Sequence, residues 1–112
     1  MSALLPPPKS PNCVSSRAAA TDERHHIAPL RGTLDAVRAV LRGMPRTKLV
    51  EERAGYLRYV VTTRIFRWKD DVEFEQDGDV VHVRSAARTG WDDLGVNRRR
   101  VESIRAALER GS

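Results

Sequence analysis

The stretch DVEFEQDGDVVHVRSA, Asp71 to Ala86, decides how this chain folds. Apolar and polar residues alternate on both sides of Asp77-Gly78, the period of a half-buried strand. Asp-Gly is a strong short hairpin signal, because both central residues of a type I′ turn need positive φ. A two-residue Asp77-Gly78 turn places Phe74 opposite Val81 and Val72 opposite Val83, which makes one apolar face. On the other face Glu73 meets His82 and Asp71 meets Arg84. Such a sheet is expected to pack helices on one side and to carry paired charges on the other.

Upstream, TKLVEE (47–52) and YLRYVVTT (56–63) flank Arg53-Ala54-Gly55 and read as a second hairpin. Tyr59 falls on its core side, whereas Tyr56 is expected to project outward. Before it lies a helix: Thr33 can cap it, and Leu34, Val37, Val40, Leu41 and Met44 recur at helical spacing. Gly43 sits at its exit and Pro45 forbids continuation. RHHIAPL (24–30) reads as a short edge strand ended by Pro29.

Downstream, Asn97 is the expected N-cap of a last helix, with Val96 and Val101 as its hydrophobic staple and Gly111 after its end. The fold class is therefore α+β, in the order (β)-α-β-β-β-β-α. It is an antiparallel meander of four to five strands with two helices on one face, comparable by analogy to half of a TATA-binding protein. Residues 1–24 read as an extended N-terminal segment and residues 25–112 as a single α+β domain.

Composition limits the function. The chain has 112 residues, a net charge of +5, 40% hydrophobic residues and 31% charged ones. Its cations are interleaved with acids, and no basic run exceeds Arg98-Arg99-Arg100. Acids on the charged sheet face would repel phosphate, so a nucleic-acid partner is disfavoured. The single cysteine excludes an internal disulfide. MSALLPPPKSPN shows no basic stretch followed by an apolar one, and nothing approaches the ~20 apolar residues that span a bilayer. A cytoplasmic protein with no membrane partner is the expectation; its oligomeric state is left open.

The connector between the last strand and the last helix draws attention next. Arg84, Ser85 and Arg88 approach it, Gly90 and Gly95 loosen its backbone, and a helix start offers free N–H groups. These can hold a carboxylate or phosphate. The competing reading is architectural: Asp92 or Asp93 pairs with Arg88, and Asp70 or Asp71 with Arg84, while Asn97 caps. Asp71, Glu73 and His82 share one face, but Arg84 beside them would repel a cation, so no metal and no cofactor are expected. Trp68 and Trp91 read as core or loop anchors.

PNCVSS (11–16), PRT (45–47), DDVEF (70–74) and HVRSAARTGWDDLGVNRRRVESIR (82–105) together resemble the bacterial and plastid family called domain of unknown function 1499. The likeness runs from Pro11 to about Leu108. It implies a compact domain without an established activity, and similar members often carry a signal, lipoprotein or membrane segment upstream. Its motif residues cluster in the N-terminal segment and the connector. If these pack together, Cys13, Ser15 and Ser16 join Arg84, Ser85 and Arg88 around one pocket. The leading expectation is a non-catalytic binding or interaction module for a small anionic ligand or an acidic protein segment. The alternatives are a small hydrolase or transferase with Cys13, Ser15 or Ser16 as nucleophile, and nucleic-acid binding through surface arginines.

Overall fold

A computed structural model describes residues 2–111. Six strands form one antiparallel sheet, and two helices pack on one of its faces. In chain order the elements are β1 (Cys13–Ser15), β2 (Leu30–Arg31), α1 (Leu34–Arg42), β3 (Thr47–Arg53), β4 (Tyr56–Thr62), β5 (Lys69–Asp77), β6 (Val80–Ala87) and α2 (Val96–Arg110). The strands run β1-β6-β5-β4-β3 across the sheet, and β2 also pairs with β6.

The α+β class and the β3–β6 meander agree with the sequence pattern. In α1, the Thr33 hydroxyl accepts from the Ala36 N–H at 3.2 Å, and Val37 and Leu41 are buried. Tyr59 meets Phe74 edge-to-face, with centroids 6.0 Å apart. Val72, Phe74, Val81 and Val83 are fully buried beneath α1 and α2, with Val101 and Ile104 facing them from α2.

The register of the β5–β6 hairpin differs from expectation by two residues. Phe74 pairs with Val83 and Glu73 with Arg84, while Glu75 meets His82. The turn is built on Gly78-Asp79, and Asp77 stays in the strand opposite Val80. Gly78 has φ +62°, and Asp79 does not take positive φ. A turn centred on Asp77-Gly78 would force Asp77 into that region; the shift leaves the demand on glycine alone, as in type II′ turns. The Gln76 amide fastens the corner by donating to the carbonyls of Gly32, Gly78 and Val80. Because the shift is even, every side chain keeps its face.

The outer edge of β6 is covered twice. β2 pairs with Val80 and Val81, and β1 pairs with Arg84 to Ala86, so two short strands lie end to end along one long one. The expected RHHIAPL strand forms after Pro29 instead of before it, at Leu30–Arg31, since proline lacks the N–H a ladder needs. The opposite edge, β3, carries a register shift between Leu49 and Glu51, leaving Val50 as an unpaired bulge. Bulges and charged side chains blunt an exposed edge.

The second sheet face carries the row Glu51, Arg58, Glu73, Arg84, in which charge alternates from strand to strand. The N-terminal segment is anchored at two places. Ser2 Oγ and the Ala3 N–H donate to Glu75 at 2.8 and 2.6 Å, Leu4 is buried, and Asn12 is buried beside the far end of β6.

Gly78→Ala tests the turn. No atom lies within 4 Å of the added Cβ, so the cost is conformational only. It is expected to lower unfolding free energy by roughly 1–2 kcal/mol without changing the slope in a urea titration.

Candidate functional site

The connector is organised by its own aspartates. Asp92 accepts the Leu94 N–H at 2.9 Å, and Asp93 accepts the N–H groups of Gly95 and Asn97 at 2.9 and 3.0 Å. Asp93 therefore satisfies the open start of α2, a task expected of Asn97. Asn97 lies inside the first turn of the helix, fully buried, while Gly95 holds the N-cap position with φ +80°. Burial pushes the Asp93 carboxyl up, but hydrogen bonds from Asn97 and Gly95 hold it below its usual range.

Buried Asn97 is the centre of a polar junction. Its amide donates to Asp93 Oδ2 at 2.7 Å and to the Asn12 carbonyl at 3.3 Å. Its Oδ1 accepts from Ser85 Oγ at 2.6 Å and from Arg100 at 2.7 Å. Arg100 also donates to Ser85 and reaches Asp70 at 2.8 Å, with side chains only 8% and 4% exposed. Together these bonds tie β1, β5, β6, the connector and α2 into one unit. Burial raises the Asp70 carboxyl above its ordinary value, more than Arg100 pulls it down.

The expected partners of Asp92, Asp93, Asp70 and Asp71 are thus reassigned. Arg88 pairs with Asp71, through Nε at 2.8 Å and NH2 at 3.0 Å, and not with Asp92 or Asp93. Asp71 also accepts from Arg58 at 3.0 Å. The hydrogen bonds from Arg88 and Arg58 hold its carboxyl below the usual range. Arg84 turns to Glu73, 3.6 Å away, because the register shift moves it opposite that residue and away from Asp71.

The six residues expected to line a pocket are neighbours in the sheet but not on one surface. β1 lies beside β6, with Cys13 opposite Ala86, Val14 opposite Ser85 and Ser15 opposite Arg84. Ser85 faces the helices inside the Asn97 junction. Cys13, Ser15 and Arg84 point to the opposite side, since successive strand residues alternate. Cys13 and Ser15 are completely buried, and burial pushes the Cys13 thiol up. Ser16 bridges the Val83 N–H and His82 Nδ1, both at 2.8 Å. Arg84 is mostly enclosed, and its buried Nε has no hydrogen-bond partner among the described residues. Arg88 alone of the six is exposed.

Two aromatic expectations change as well. Tyr56 is buried on the second face, its hydroxyl donating to Glu73 at 2.5 Å, so it does not project outward. Burial first, and then Glu73, raises its phenol well above the ordinary value. Trp68 and Trp91 are exposed, at 53% and 63%, and neither anchors the core.

Exposed Arg88 opens onto a feature the sequence reading missed. An open groove of about 810 Å3 runs across the ends of β3, β4 and β5 and is lined by Arg46, Lys48, Arg67, Lys69 and Arg88, with Val60 and Thr62 on its floor. No carboxylate lines it. Lys48 and Arg67 make no side-chain hydrogen bond or ion pair among the described residues. The available signal was strand alternation: with β4 between β3 and β5, Lys48, Thr62 and Lys69 fall on one face. No basic run marked it, because its cations come from separate elements.

An α+β domain, with a helix locked to its sheet by a buried polar junction and a basic groove at one corner, is the class these features define. The chain belongs to the family described as Protein of unknown function (DUF1499), whose pattern matches residues 3–108. No curated protein matches the chain.

Two titrations separate the junction from the surface pair. Arg100→Met leaves the Asp70 carboxylate buried without its cation and is expected to cost about 3 kcal/mol or more. Asp70 is an acid whose folded value is raised, so the folded state holds more protons than the unfolded one. The variant's stability therefore falls as pH rises above the ordinary carboxyl value of 3.8. Asp71 has the opposite sign: its stabilisation is complete above the unfolded value near 3.8 and is lost as pH falls through the lowered folded value. Asp71→Asn is expected to flatten the acid limb of a stability–pH profile recorded by denaturant melts.

Proposed function

We propose that this protein is a non-catalytic binding module for an anionic partner, held in the groove formed by Arg46, Lys48, Arg67, Lys69 and Arg88. The observation that carries this reading is the lining itself: five exposed cations, of which, among the described residues, only Arg88 is paired with a carboxylate, that of Asp71 outside the lining. Elsewhere on this face the charges neutralise one another, Arg58 with Glu51 and Asp71, and Arg84 with Glu73. Unpaired Lys48 and Arg67 leave a local field that an anion relieves. Arg46 is fixed at the rim by its Nε bond to the Thr62 carbonyl, which pre-orients its guanidinium.

A nucleophilic function gains no support from the geometry. Cys13 is buried with a raised thiol, whereas a reactive cysteine needs access and a lowered value. Ser16 touches His82, yet both lie within the β1–β6 edge, where Ser16 Oγ is occupied by the Val83 N–H.

Calorimetric titration with tripolyphosphate is the direct test. The anion is expected to bind, and at a hundred times its Kd to stabilise the protein by about 2.7 kcal/mol. Lys48→Ala with Arg67→Ala should weaken binding at least about tenfold at low salt while leaving thermal unfolding unchanged, because neither side chain has an internal partner. Equal affinity in parent and variant rejects this groove as the site.

A further inference from the structure

The basic groove ends beside an apolar prominence that it does not explain. Between β4 and β5 the loop Thr63 to Trp68 is closed at its base: the Thr63 N–H donates to the Trp68 carbonyl at 2.7 Å, and the Trp68 N–H donates to Thr63 Oγ1 at 2.8 Å. Its tip presents Ile65, 80% exposed, and Phe66, 68% exposed, with Phe66 stacked on Trp68 at 4.9 Å between ring centroids. The connector after β6 leaves the sheet at the same end, where the Arg88 N–H bonds the Lys69 carbonyl at 3.1 Å. It presents exposed Trp91 and Leu94. Large apolar side chains clustered in water mark an interaction surface.

We infer that this end of the molecule docks on an anionic lipid bilayer: Ile65, Phe66 and Trp68 enter the interface while the groove cations meet lipid phosphates. This rests on the anion-binding reading above and names its partner. Cations surround the apolar loop, with Arg64 and Arg67 inside it and Lys69 at its foot. Long basic side chains beside interfacial tryptophan are suited to a layer with acyl chains below and phosphates above. That charge pattern also opposes a second copy of this chain, since the same unpaired cations would face one another. Single-stranded nucleic acid fits less well. Phe66 and Trp68 already spend one ring face on each other, and Ile65 and Leu94, the most exposed of the apolar residues, offer no ring for a base. The sequence expectation of no membrane partner rested on the lack of a signal pattern and of a spanning stretch. No helix among the described residues is long and apolar enough to cross a bilayer, and a surface contact requires none.

The chain supplies its own reporter, because both of its tryptophans are exposed, Trp68 in the apolar loop and Trp91 in the connector. The test is sedimentation and tryptophan emission of the full chain with phosphatidylcholine vesicles, with and without about a third phosphatidylglycerol. Binding to the anionic vesicles only, with a blue shift in emission, is the expected result. Phe66→Ser with Ile65→Ser should reduce partition at least about tenfold and abolish the shift, while tripolyphosphate affinity stays as in the parent. Tripolyphosphate binding without vesicle binding overturns the lipid proposal and leaves the anion reading standing. Failure to bind either overturns both. Binding of a single-stranded oligonucleotide that depends on Phe66, without vesicle binding, replaces lipid by nucleic acid.

Discussion

Everything in this fold hangs on a buried amide that cannot be left half satisfied. Asn97 is fully enclosed, and its side chain has partners on α2, the connector, β6 and the backbone beside β1. An unpaired polar group at such depth costs about 1–3 kcal/mol, so α2 can sit on the sheet in one position only. The Asp70–Arg100 pair acts in the same way. Its desolvation offsets much of its attraction, and what it contributes is a unique seat for the helix more than raw stability. The apolar residues beneath α2 would tolerate small slides and rotations. The junction does not, and it thereby fixes where the connector lies and which way Arg88, Trp91 and Leu94 face.

The two faces of the sheet solve different problems. One is a conventional apolar layer under two helices. The other is a lattice of opposite charges, Glu51, Arg58, Glu73, Arg84, with Tyr56 buried among them. Exposed ion pairs contribute little, but pairs enclosed by a covering segment are shielded from water and salt. The chain's own N-terminal residues provide that cover beside Glu75, where Ala3 is bonded and Leu4 is buried. Neutralisation is nearly complete across this face and stops at the β3–β5 corner, which is why an excess of cations there is conspicuous.

Local chemistry made much of this legible in sequence. Thr33, Gly43 and Pro45 bounded α1 because caps and breakers act within a few residues. The β5–β6 hairpin was recognisable from its alternation, yet its register hinged on which of two adjacent residues accepts positive φ, a choice decided by the Gln76 contacts to a distant carbonyl. What stayed hidden depends on residues far apart. β1 is three residues long and has no period of its own; pairing with β6 creates it. Asn97 carries every mark of an N-cap, and only the placement of Asp93 against the first turn reveals that the cap is elsewhere. At the candidate site, separate elements contribute one or two cations each, so the groove exists only in three dimensions. Trp68 and Trp91 resembled anchors because composition does not distinguish a buried tryptophan from a displayed one.

The way β6 is sealed has a consequence for the order in which the protein is made. Its edge partner, β1, is made before it, and β6 follows some seventy residues later. Until then Cys13, buried in the finished molecule, is an uncovered thiol on a growing chain, and Val14 is an uncovered apolar side chain beside it. Contacts of such long sequence separation close late. The nascent protein therefore passes through a stage in which the α1–β5 portion can be in place while the first strand waits. Its vulnerability to oxidation and to mispairing is set by translation time and ends when β6 arrives.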